Sequence, residues 1–433
     1  MAGPLSGVRV IDFTEYVAGP YAGQMLADMG ADVVKFEPPI GDFWRLTNMI
    51  AADESRGFVS VNRGKRSIVV DLKTDGGREV VHKAVESADV MLSSYRPGVA
   101  SRLGVDYETV SKINPAIIYA RNTAFGPNGP YSDKTGFDLV AQAMTGIVAF
   151  ESQGKDGPPH SITTAAITDY LSGMNMAFGV VNALYQRTVT RKGQMIDTSL
   201  FASGLAMQYR PLLSIEMFDA EPRAELLGLL GEARNQGISV GEVLAQQAAA
   251  GHVRPGAPAV ATNPYYQIYK TRDGHFVIGC LNNRLRRAAA EIIGVEDTRL
   301  VTNEWDSTAL DIDDAAKLNA RIAEVFASRT NADWLPLFEA AGVPCGPVRI
   351  TEELYDDPQV QAQNLVVNLE HPMLGTIRTV GSPVKMSEAD TTSTRPSPML
   401  GQHTREVLTE LGYGAPEIDA LLVSKAVKQG DIG

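Results

Sequence analysis

A carboxylate heads the clearest helical pattern in this 433-residue chain. In residues 163–187, TTAAITDYLSGMNMAFGVVNALYQR, the apolar residues Leu171, Met174, Phe178, Val181 and Leu184 recur at helical spacing behind Thr168 and Asp169. Either residue can cap a helix, because a side-chain oxygen accepts from the unpaired amides of the first turn. A carboxylate there also faces the positive end of the helix dipole, which predicts an ionised Asp169. This window alone describes an ordinary cap. A second group with chemical potential is basic: Arg63, Lys65, Arg66, Lys73, Arg96 and Arg102 could hold a small anionic ligand or form a solvated surface.

Other chemistries lack their residues. The six histidines, at 82, 160, 252, 275, 371 and 403, include no i, i+4 pair, so no metal-binding helix and no metal site is expected. There is no C-x-x-C, no G-x-S-x-G elbow and no G-x-x-x-x-G-K-[ST] phosphate loop. Carboxylates, glycine turns and basic residues remain. A formal net charge of −12 argues against a general nucleic-acid binder. No apolar run is long enough to cross a bilayer, and the N-terminus lacks the pattern of a signal peptide, so no membrane partner is expected. With only Cys280 and Cys345, a disulfide framework is not expected and a reducing cytoplasm fits best.

The elements that must position these groups read as α/β. Strand-like runs occur at 8–13, 33–37, 67–72, 89–95 and 116–122, with a helix over 18–31 and an amphipathic crossover helix over 78–88. This alternation predicts a doubly wound, mostly parallel, Rossmann-like sheet. The turn after the first strand is AGPYAG, so the dinucleotide fingerprint is absent and a dehydrogenase is disfavoured. A Gly/Pro-rich connector follows residue 150, and 191–203 supplies another strand and a helix. Residues 1–214 are expected to form the first part of a large domain. A linker and smaller α+β domain are expected at 215–340, opening on a hairpin around Asp273–Gly274. Residues 341–433 are expected to return to the large domain, starting with a strand in AAGVPCGPVRIT.

Several segments, in order, point to a family. VIDFTEYVAGPYAGQMLADMGADVVKFEPPIGD (10–42), NRGKRSIVVDLK (62–73), YRPGVASRLGVDYE (95–108), FGPNGPYSDKTGFDLVAQAMTG (125–146) and PMLGQHTREVLTELG (398–412) resemble the class III CoA-transferases, the CaiB/BaiF family. Chain length is similar to that of the formyl-CoA:oxalate branch. The resemblance implies transfer of CoA from an acyl-CoA to a carboxylic acid, with CoA thioesters as substrates, no permanently bound cofactor, and an interlocked homodimer. It places Asp169, in ITDYLSG, at the family's nucleophile.

The same resemblance implies CoA contacts at Val17, Ala18, Leu72, Lys73, Ser94, Tyr95, Arg96, Arg102, Lys134 and Phe137. Departures accompany it. Val17 stands where a Gln is common, Pro38 where an Arg often meets the nucleotide, and SSYRPG where ENFRPG is usual. Lys65 or Arg66 is expected to compensate for Pro38. The 254–266 loop lacks the run of glycines found in some members. An α-methylacyl-CoA racemase shares the fold but needs a His where this chain has Phe137, which cannot carry a proton. The acyl donor and the acceptor acid are not legible in one sequence.

Overall fold

The computed structural model describes residues 2–151, 160–209, 211–249, 263–300 and 312–430. The expected connector after residue 150 and most of the 254–266 loop lie outside the described residues. Two compact units divide the chain, residues 1–255 with 363–433, and residues 256–362.

Six parallel strands form the sheet of the larger unit: β1 (Arg9–Phe13), β2 (Asp32–Glu37), β3 (Arg66–Val70), β4 (Val90–Ser93), β5 (Ile118–Thr123) and β6 (Gln194–Ser199). A short strand β7 (Val427–Lys428), which carries no legible apolar run, adds antiparallel to β3. The order is β7-β3-β2-β1-β4-β5-β6. The chain therefore runs outward from β1 in one direction, then returns and runs outward from β4 in the other. Ligands of doubly wound sheets bind at such a reversal, outside the carboxyl ends of the strands.

Both faces of the sheet are covered, and for that reason β1 to β5 read as near-continuous apolar runs. On one face Ile11, Phe13, Phe36, Ile68 and Met91 pack with Val80, Val81 and Val85 of helix α2 (Asp75–Glu86). On the other, Val10, Val33, Leu92 and Ala120 meet Ala22 and Leu26 of helix α1 (Ala18–Asp28). Helix α3 (Asp138–Thr145) precedes the long helix α4 (Ile167–Thr190), which contributes Met176, Ala177, Val180 and Ala183 to that second core.

This corrects the helical stripe read from the sequence. Met174, Phe178 and Val181 are exposed, Phe178 to 72%, while Ser172, Gly173, Met176, Ala177, Val180 and Ala183 are buried. Close approach explains the choice: a Cβ on Gly173 would lie 2.4 Å from the carbonyl oxygen of Ala18. Only a small-residue face lets α4 sit that near to α1.

In the smaller unit, Tyr266–Lys270, His275–Gly279 and Cys345–Pro347 form an antiparallel sheet. Tyr269, Phe276, Phe326, Trp334 and Phe338 fill its core. Two expected boundaries shift. The helices Glu216–Asn235 and Val240–Ala249 fall in the larger unit, not in a small domain starting at 215. The strand in AAGVPCGPVRIT does not rejoin the large sheet at 341: it pairs with His275–Gly279, and the return begins near 363. Hydrogen-bond partners, which composition does not encode, decide that membership.

Candidate active site

The turn leaving β1 is built on buried charge. Asp12 accepts from the ammonium of Lys65 at 2.8 Å and from the Thr14 amide at 2.9 Å. Burial alone would raise the Asp12 carboxyl, but Lys65 and Lys35 outweigh it and hold it below its ordinary range. Lys35 donates to the Thr14 carbonyl at 2.6 Å and lies 2.9 Å from Asp42. The other oxygen of Asp42 accepts from the amides of Tyr16, at 3.2 Å, and Trp44, at 2.9 Å. Tyr16 needs that support, because its φ of 67° lies in the left-handed region that side chains disfavour. Behind it, Arg45 bonds Glu37 and Glu54 at 2.7 and 2.9 Å, with its guanidinium 3.5 Å over the ring of Phe58.

Two expectations about the basic cluster are overturned here. Lys65 is fully buried and bonds Asp12, Asn62 and the Pro20 carbonyl. Arg66 is engaged by Asp32, Glu406 and Glu410. Neither is available to replace the family Arg at Pro38. Arg63 likewise bonds Asp28 at 2.6 Å. Half of the cluster is therefore committed within the large domain, because Arg63 and Lys65 lie just before β3 and Arg66 opens it, buried positions where unpaired charge is costly.

Beyond the carboxyl ends of β1, β4 and β5 opens a cleft of about 370 Å³. Asp169, Val17, Ala18, Ser94, Tyr95, Arg96, Lys134 and Phe137 all line it. Residues that are 150 apart in sequence meet there because α4 packs on the AGP turn through Gly173. Phe137 is 56% exposed and its ring meets that of Tyr16 edge-on at 5.1 Å. Leu72, Lys73 and Arg102 do not line the cleft. Leu72 is buried in the core, whereas Lys73 and Arg102 are exposed. Sequence reasoning missed Glu15, whose carboxyl also faces this cleft and is pushed up by burial and by Asp42. A charged residue in the first turn of a doubly wound sheet was the available signal.

Asp169 is not the helix cap. Helix α4 starts at Ile167, so Asp169 is its third residue, and the preceding Ala166 has no side chain able to cap. The cap comes from α3 instead. One oxygen of Asp138 accepts from the Thr168 amide at 2.8 Å and from the Thr168 hydroxyl at 2.7 Å. Nor does the dipole keep Asp169 acidic. Burial, reinforced by the charge of Asp138, pushes its carboxyl up to about 7. No hydrogen bond or ion pair from the described residues to the Asp169 side chain offsets this. A partly buried carboxyl of raised basicity, opening on a cleft, suits a nucleophile or a proton carrier.

Fold and cleft together define a doubly wound α/β protein with two carboxyls, Glu15 and Asp169, lining a cleft at the sheet's switch point. The chain belongs to CoA-transferase family III, which its residues 5–228 and 234–404 match. A mouse succinyl-CoA:glutarate CoA-transferase is 34% identical, over 98% of this chain and 91% of the relative. A formyl-CoA:oxalate CoA-transferase from Rhodopseudomonas palustris is 33% identical, over 96% of each chain. Among solved structures, a CaiB/BaiF family protein from Brucella suis superposes with a TM-score of 0.75 at 29% identity, covering 95% of this chain and 100% of that one. Among the described residues no helix is long and apolar enough to cross a membrane.

Proposed function

We propose that this protein transfers CoA from an acyl-CoA to a small organic acid through covalent intermediates on Asp169. The observation that carries this reading is the carboxyl of Asp169, raised by burial and by Asp138 and bonded by no cation among the described residues, in the cleft beside Val17, Ala18, Arg96 and Lys134. An oxygen of Asp169 attacks the thioester carbonyl, the C–S bond breaks, and CoA thiolate leaves a mixed anhydride. The thiolate attacks the Asp169 carbonyl, the donor acid departs, and an aspartyl–CoA thioester remains. The acceptor carboxylate attacks that thioester and expels the thiolate. Attack of the thiolate on the new anhydride at the acceptor carbonyl delivers the product and restores Asp169. The acyl-bond energy is conserved throughout, so no nucleotide hydrolysis is required.

Only the ionised carboxylate can begin this cycle, so transfer is expected to rise with pH through about 7. Val17, Ala18, Ser94, Tyr95, Arg96, Lys134 and Phe137 are assigned to the arm and acyl end of CoA. Lys73 and Arg102, exposed outside the cleft lining, suit the nucleotide end, and Leu72 acts from the core behind them. The relatives' names favour a dicarboxylic acid such as succinate, glutarate or oxalate. Phe137 disfavours the racemase alternative, since it supplies no second proton carrier. A homodimer is part of the proposal, supported by the apolar residues Phe178, Tyr185 and Val189 left exposed along α4. Light scattering showing a monomer at micromolar concentration would remove the dimer from it.

The test is trapping. Incubation with succinyl-CoA and quenching should leave CoA attached to the peptide carrying Asp169, detected by mass spectrometry. The adduct should be missing from Asp169→Asn. Full turnover by that variant would overturn the assignment.

A further inference from the structure

Helix α3 grips the chain leading into α4 at two points. Gln142, fully buried, bonds the backbone of Ile162 in both directions, accepting from its amide at 2.9 Å and donating to its carbonyl at 3.0 Å. Asp138, one turn earlier on α3, takes three donors: the Thr168 amide and hydroxyl on one oxygen, and the Gln142 side-chain amide at 2.6 Å on the other. A carboxylate, which only accepts, matches a set of three donors. Thr168 is fully buried and immediately precedes Asp169. Two carboxylates therefore share one helix N-terminus, and Asp138 holds the amide bond there. An ordinary Ser or Thr cap would do the same mechanical work with no charge.

We propose that Asp138 is the positioning residue of this site: through Thr168 it anchors the first turn of α4 and sets a second negative charge at the helix N-terminus that carries Asp169. The kinetic consequence rests on the reading of Asp169 as nucleophile; the electrostatic one does not. A more basic carboxylate is the better nucleophile once ionised, and the anhydride it forms is less prone to return its acyl group to thiolate. Asp138 is not among the residues lining the cleft and acts through Thr168 and through its field.

The decisive variants are Asp138→Asn, which removes the charge and keeps an acceptor for Thr168, and Thr168→Val, which removes one tether and keeps the charge. The pH dependence of Asp169 esterification by a diazoacetamide, read by peptide mass spectrometry, measures its protonation without reference to activity. In Asp138→Asn the labelling midpoint is expected to fall by about 1 pH unit, and in Thr168→Val to stay in place. With succinyl-CoA and glutarate as probe pair, the acid limb of kcat should move down with the labelling midpoint in Asp138→Asn. Its plateau should drop by roughly 3- to 10-fold. An unchanged midpoint in folded Asp138→Asn, or an equal shift in Thr168→Val, overturns the proposal. Should Asp169→Asn prove active, the nucleophile reading fails, while the labelling midpoint still judges Asp138.

Discussion

Two regions of the larger unit treat buried charge in opposite ways. Behind the β1 turn, Asp12, Lys35, Glu37, Asp42, Arg45 and Lys65 are almost wholly buried, and each carboxylate has a cation within 2.9 Å. At the head of α4, Asp169 and Asp138 lie near one another with no cation bonded to either among the described residues. Pairing turns the first set into scaffold: Asp12 stays acidic, and Asp42 fixes Tyr16 in its unfavourable conformation. Leaving Asp169 unpaired stores electrostatic free energy at the carboxyl to which the proposed mechanism assigns bond formation. Glu54 shows how fine the balance is. Arg45 bonds one of its oxygens, the other has no partner, and burial pushes its carboxyl up to about 7.

Breaking each region separately gives contrasting outcomes. The largest effect belongs to Asp169→Ala, expected to reduce transfer by at least about 10³-fold while circular dichroism stays near wild type. Next comes Arg45→Met, which leaves Glu37 and Glu54 buried without their cation. It should destabilise the fold by about 3–5 kcal/mol in urea unfolding, the usual cost of removing one partner of a buried pair.

A smaller effect of opposite direction is expected from Asp169→Asn. The folded state binds the Asp169 proton more tightly than the unfolded chain, whose carboxyl has the ordinary value of 3.8. Relative stability from this group is therefore fully present below about pH 4 and lost as pH rises through about 7. At pH 8 the neutral amide should be more stable than wild type, on the order of 2 kcal/mol after allowance for partial exposure. At pH 4 that gain should vanish. Equal unfolding midpoints at pH 8 would mean that the two regions do not differ as described. Smallest of all, Lys73→Ala and Arg102→Ala should change stability by less than about 0.5 kcal/mol. If they meet the nucleotide end of CoA, they should raise KM more at low salt than at high salt.

Local pattern was sufficient for much of this protein. The strands β1 to β5 stand out as largely apolar runs that only a two-sided sheet can cover, and their alternation with helices limits the topology to a wound one. The carboxylate at 169 and the family segments around it stand in the sequence as written. Tertiary structure decided what those residues experience. Lys65 and Arg66 read as ligands for an anion or as solvated charges, yet their buried positions just before and on β3 commit Lys65 to Asp12 and Arg66 to Asp32, Glu406 and Glu410. Met174 and Phe178 stand in the apolar stripe of the sequence, yet the close approach of Gly173 to the Ala18 carbonyl turns the face of Gly173, Met176, Ala177 and Val180 inward. Asp169 read as an acidic cap, yet a carboxylate 31 residues earlier in the sequence takes the helix amide and raises its basicity. Sequence fixes which groups are available; desolvation and charge at a distance, which depend on neighbours brought together by folding, decide the state each one adopts.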